Sequence, residues 1–77
     1  MILKKLSELP FNQKAIIRSF GDTELYVYLL EMGCVPDEEI TVELSAPFGD
    51  PIAIYVAGYQ LSLRKEEAEK ILVEEIS

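Results

Sequence analysis

Fourteen carboxylates, one thiol and no histidine are most of what this 77-residue chain could use for chemistry. Without an imidazole, neither a Ser-His-Asp nor a Cys-His arrangement can be assembled. Cys34 has no basic residue near it in sequence to hold a thiolate. It reads as a small packed residue that follows a helix. There is no phosphate-binding P-loop and no glycine-rich dinucleotide fingerprint. Gly49-Asp50-Pro51 is turn chemistry, because Pro51 forces Asp50 toward extended geometry. The inventory holds no catalytic residue, and the chain is expected not to be an enzyme.

Metal chemistry is nearly as restricted. Tight sites for soft metals need Cys or His at characteristic spacing, which this chain does not supply. Its carboxylates cluster at Asp37-Glu38-Glu39, Glu66-Glu67 and Glu74-Glu75. Adjacent residues on a strand point to opposite faces, so such pairs do not chelate naturally. They read as a solvated acidic surface. A weak oxygen-ligand site for a divalent cation is left open, with its ligands unknown and no cofactor certain.

Seven Lys and Arg stand against the fourteen Asp and Glu, for a net charge of −7. Affinity for phosphate backbones comes from dense basic residues, so nucleic acid is excluded as a partner. Anionic membrane surfaces are disfavoured for the same reason. No apolar run is long enough to enter a bilayer. Met1-Ile2-Leu3-Lys4-Lys5 does not open a signal peptide, because Glu8 follows quickly. The expected compartment is the cytoplasm, in agreement with a single cysteine.

The elements that must position any site can be read from periodicity. With 77 residues and 49% hydrophobic content, one domain over 1–77 is expected. Leu3, Leu6 and Leu9 recur three apart before Pro10, which predicts a short helical turn on the core. Ala15 to Phe20 reads as a strand, broken by Gly21. Asp22 is a good N-cap, and Leu25, Leu29 and Met32 form the inward stripe of a helix that Gly33 stops. Glu39 to Ser45 alternates as a half-buried strand with Ile40, Val42 and Leu44 inward. Ala46 to Pro51 is a turn. In the strand after it, Ile52, Ile54 and Val56 alternate with Ala53, Tyr55 and Ala57. Gly58 allows a bend, and Tyr59 to Leu63 pairs back. Lys65 to Ile71 predicts a short helix, and Val73 to Ile76 a closing strand. The expectation is a mainly β chain, a small five-stranded SH3-like barrel with two short helices.

The first helix is unusual. Leu25-Tyr26-Val27-Tyr28-Leu29-Leu30-Glu31-Met32 carries one charge. With Leu25, Leu29 and Met32 inward, Tyr26, Val27 and Leu30 fall on the outer side. Exposed together, they form an apolar patch of a size that suggests a partner. These three residues are the candidate partner-binding site. The same face, or a strand-forming terminus, would allow a homodimer.

Three segments, in order, resemble the ferrous iron transport protein A (FeoA) family. Leu29-Leu30-Glu31-Met32-Gly33-Cys34-Val35-Pro36 resembles its helix-to-strand segment. Ala46-Pro47-Phe48-Gly49-Asp50-Pro51-Ile52 resembles its hairpin. Leu61-Ser62-Leu63-Arg64-Lys65-Glu66-Glu67-Ala68 resembles its closing stretch. The match runs from about Leu6 to Glu75. The resemblance implies an SH3-like barrel and a cytosolic accessory protein of ferrous iron uptake. Such a protein acts by contact with a membrane iron(II) transporter that carries a GTP-hydrolysing domain (FeoB). Related domains end metal-dependent repressors of the diphtheria-toxin-repressor type, so a metal-responsive regulatory domain is the alternative. Weak binding of iron(II) or another divalent transition metal is implied by that relationship. Two features depart from the family pattern. Tyr26-Val27-Tyr28 stand where Arg, Lys or Gln are usual, which makes the helix face apolar. Asp37 stands where glycine follows the proline, at a turn that favours glycine if it is of type II. A general binder of proline-rich peptides, gripping with Tyr55 and Tyr59, is a third class.

Overall fold

A computed structural model describes residues 2–45 and 51–76. The elements run β1 (Lys4–Lys5), a 3-10 turn (Leu6–Glu8), β2 (Lys14–Phe20), α1 (Thr23–Glu31), β3 (Glu39–Ser45), β4 (Ile52–Val56), β5 (Tyr59–Leu63), α2 (Lys65–Ala68) and β6 (Ile71–Ile76). The strands form one sheet in the order β1-β6-β2-β3-β4-β5, antiparallel at every pairing. The mainly β, SH3-like expectation stands, but the described residues form six strands and not five, in a sheet that is not closed.

The core is made by alternation. Ala15 and Ile17 of β2, Ile40 and Val42 of β3, Ile54 and Val56 of β4, Leu61 and Leu63 of β5, and Ile71 and Val73 of β6 are all buried. Leu6 and Leu9 of the 3-10 turn join them, but Leu3 is exposed and contributes nothing. Among the described residues, no buried side-chain polar atom lacks a hydrogen-bond partner.

Three departures from the sequence expectation have local causes. The final helix ends at Ala68, and Ile71 and Leu72 already belong to β6, paired with Phe20 and Ser19 of β2. Pairing with a distant strand outweighs the weak helical preference of two residues. A second departure is β1. Two residues have no periodicity to read, and their strand character comes only from pairing Lys4 with Val73 and Lys5 with Leu72. Thirdly, two bulges interrupt the alternation, one at Arg18 in β2 and one at Glu43 in β3. Ala53 pairs with Leu44 beside the second bulge and is buried, although alternation turns it outward. The expected turn over Ala46 to Asp50 lies outside the described residues.

Candidate partner-binding site

The ends of α1 are fixed by hydrogen bonds that its sequence dictates. Asp22 is extended and caps the helix, its carboxylate accepting from the backbone N–H of Glu24 at 2.9 Å and of Leu25 at 3.1 Å. Lys70 donates to the other carboxylate oxygen at 3.3 Å, tying the cap to the segment before β6. The backbone donors, Leu25 first, and Lys70 hold the Asp22 carboxyl below its ordinary range.

At the other end, Gly33 has φ of +82°. Its N–H donates to the Leu30 carbonyl at 3.1 Å, and the Cys34 N–H donates to the Leu29 carbonyl at 2.9 Å. This is a Schellman cap, in which the residue after glycine packs back on the last turn. Cys34 and Leu29 are both fully buried. Burial, and secondarily the charge of Glu38, push the Cys34 thiol up to about 11. Cys34 is therefore a packed thiol with no nucleophilic character at neutral pH.

Leu25 and Leu29 anchor the inner face of α1, with Met32 partly buried against the core. The outer face is open. Val27 is 50% exposed, Leu30 39% and Tyr26 36%. The structure therefore brings together all three residues expected from the sequence. Tyr26 also packs on Phe20, with ring centroids 5.1 Å apart. A groove of about 270 Å³ runs beside this pair, between the end of β2 and the start of α1, with Arg18, Thr23 and Pro36 in its walls.

Tyr28, at 47% exposure, belongs to the same surface but is not among the three candidate residues read from the sequence. A helical wheel centred on Leu25 and Leu29 puts Tyr28 on the flank. Whether a flank is covered depends on distant chain, which local sequence does not encode. Tyr59 extends the surface past the end of α1. A Cβ placed on Gly33 would lie 3.9 Å from the Tyr59 hydroxyl and 3.2 Å from the Ala57 Cβ.

The walls of this region are held by Arg18. As the bulged residue of β2 it is released from the alternation. Its guanidinium Nε donates to Glu74 at 2.9 Å and its Nη1 to Asp37 at 2.7 Å. Asp37 has φ of +73° at the third position of a turn whose Glu38 N–H donates to the Val35 carbonyl at 3.2 Å. With Pro36 at the second position this is the type II pattern. Aspartate occupies a place that favours glycine, and its side chain is engaged by Arg18. The proline-rich-peptide reading fares differently. Tyr55 pairs with Gln60 and Tyr59 with Val56, which sets the two tyrosines on opposite faces of their hairpin.

A family model, the FeoA domain, matches residues 4–75. The chain belongs to the FeoA family. A Porphyromonas gingivalis Fe(2+) transport protein A/Fe(2+) transporter FeoB fusion protein is 43% identical over 74 residues, covering 95% of this chain. The chain spans 9% of that relative's length. The solution structure of a FeoA-like protein from Clostridium acetobutylicum is 37% identical, with a TM-score of 0.90 over 100% of this chain and 91% of that one. A Stenotrophomonas maltophilia FeoA crystallised with zinc, described as an SH3 domain protein, is 30% identical. Its TM-score is 0.80 over 92% of this chain and 89% of that one. A manganese-dependent transcriptional repressor shares the fold at a TM-score of 0.86 and 16% identity, over 96% of this chain and 42% of its own.

Among the described residues of this FeoA-family chain, no group of three Cys, Asp or Glu side chains is placed to hold a metal ion. No described helix is long and apolar enough to cross a membrane. The candidate site on the described residues is the exposed outer face of α1.

Proposed function

We propose that this chain is a cytosolic accessory domain of ferrous iron uptake. It acts by contact with a GTPase-linked iron(II) transporter of the FeoB type, and it catalyses no reaction. The observation that carries this reading is the open outer face of α1, where Tyr26, Val27 and Leu30 remain exposed on a helix whose ends are rigidly capped. The fusion of the two proteins in the P. gingivalis relative supports the choice of partner. Tyrosine and apolar side chains on a rigid helix lose little entropy on docking, which suits them to an interface.

The test is binding of the chain to the purified full-length transporter in detergent, by biolayer interferometry with and without GTP. Saturable binding is expected. A Val27→Gln/Leu30→Gln variant should lose about tenfold or more in affinity while its far-ultraviolet circular dichroism is unchanged. Glutamine keeps the helix propensity and adds no charge. These two positions are a cleaner choice than Tyr26, whose ring also packs on Phe20. Equal affinity in the variant would remove α1 as the docking face.

A second reading, a metal-responsive regulatory domain, is favoured by the zinc-bound relative alone. It requires iron(II) or manganese(II) at about 100 times its dissociation constant to stabilise the fold by about 2.7 kcal/mol. An unchanged melting temperature in millimolar metal removes it.

A further inference from the structure

The charges of this chain are unevenly divided. Residues 19–63 contain eight Asp and Glu and no Lys or Arg, whereas the rest of the chain carries all seven Lys and Arg against six Asp and Glu. A net charge of −7 is therefore a segment of −8 flanked by residues 1–18 at +3 and residues 64–77 at −2. The sheet order turns this into a partial separation in space, bridged by the ion pairs Arg18–Asp37 and Lys70–Asp22. Strands β1, β6 and β2 lie together on one side and hold the ion pairs Lys4–Glu75 and Arg18–Glu74. Strands β3, β4 and β5 lie together on the other, and α1 belongs to the same cation-free segment.

The outer face of α1 carries this imbalance into the apolar patch. Glu24 and Glu31 are seven residues apart, so they share a row about 10 Å long on the helix surface. That row runs beside Val27, with Leu30 beyond Val27 and Tyr28 on the row's other side. Both glutamates are exposed. Among the described residues neither has a side-chain hydrogen bond or an ion pair. The patch is thus an apolar strip with an acidic border.

Resting on the docking reading above, we infer that this face selects a protein surface whose apolar centre is bordered by Lys and Arg, presented by the cytosol-facing loops of the transporter. Two arguments select that occupant. Complementary charge steers encounter and rejects like-charged surfaces. Cytosol-facing loops of membrane proteins carry an excess of Lys and Arg. The anionic headgroups beside such loops repel the acidic border, so the face engages the basic loops and not the lipid around them. A second copy of this chain paired symmetrically through α1 would set Glu24 and Glu31 against the same acidic row.

The experiment compares wild type, Glu31→Lys and Glu24→Lys/Glu31→Lys for binding to the full-length transporter in detergent, at about 50 and about 300 mM salt. Glu31→Lys alone is compatible with the fold, because a cation suits the C-terminal end of a helix. Wild-type affinity should fall about tenfold or more across that salt range, and the double variant should bind about tenfold more weakly at low salt with little salt response. Wild-type binding that is salt-independent and unaffected by charge reversal overturns the charge selection and leaves the docking reading standing. Absence of wild-type binding at both salts overturns both. Sedimentation equilibrium showing a dimer that Val27→Gln/Leu30→Gln dissociates would assign the face to a second copy, and so overturn the inference.

Discussion

Gly33 concentrates more constraint than any other single residue near the α1 face. Its φ of +82° lies where L side chains rarely go, and a Cβ there would stand 3.2 Å from the Ala57 Cβ. The first feature ends the helix, and the second lets the helix end lie close to the β4–β5 turn. Gly33→Ala therefore incurs both the left-handed penalty and a contact that must give. We expect a loss of about 1–2 kcal/mol in urea unfolding, with the slope unchanged. An unaltered midpoint would mean that the cap relaxes freely and that the turn does not brace α1. Single residues also mark where sequence reading stops. Gly33 as a helix stop was legible from its type alone. That Arg18 is a bulged residue reaching Glu74 and Asp37 was not, because a bulge is defined by the partner strand.

At the scale of elements, α1 is the one whose integrity the proposed interface needs, and its N-terminal cap is titratable. Asp22 accepts from two backbone donors and from Lys70, and its carboxyl is held below the ordinary carboxylate range. A depressed native pKa stabilises the fold above the unfolded value and loses that contribution as pH falls through the native one. Wild type should therefore shed this stability only below about pH 4. Asp22→Ala should melt lower at neutral pH, and the gap between the two proteins should close under acid. Thermal melts from pH 7 to pH 3 check this, and a gap that persists at pH 3 would show that the cap acts through something other than its charge. The same element shows what local sequence encodes. Cap, inward stripe and stop are all short-range signals, and α1 forms between them as expected. Strand β6 begins two residues earlier than periodicity suggests, because Ile71 and Leu72 are recruited by β2 across some fifty residues of chain. Of the candidate site, Tyr26, Val27 and Leu30 were readable because the helix is apolar nearly all round. Tyr28 was not, since its exposure depends on what fails to cover the flank.

For the whole molecule, the division of charge has a consequence for stability that is separate from any partner. Like charges held within one small fold repel, and the repulsion is relieved on unfolding. Against it stand, among the described residues, four exposed or half-exposed ion pairs: Lys4–Glu75, Arg18–Asp37, Arg18–Glu74 and Lys70–Asp22. Added salt screens both effects, so the sign of the salt response reports which is larger. Exposed pairs contribute little. Each of these four draws its cation from outside residues 19–63, and among the described residues of that segment five of seven acidic side chains have no partner cation. Repulsion should win, and the melting temperature at neutral pH should rise by a few degrees as sodium chloride goes from about 20 to about 300 mM. Glu31→Lys places a cation in the cation-free segment. It should melt higher than wild type at low salt and show a smaller rise. A melting temperature that falls with salt would mean that the ion pairs around β6 dominate, and that the acidic side of the sheet is held open to a basic partner at no cost to the fold.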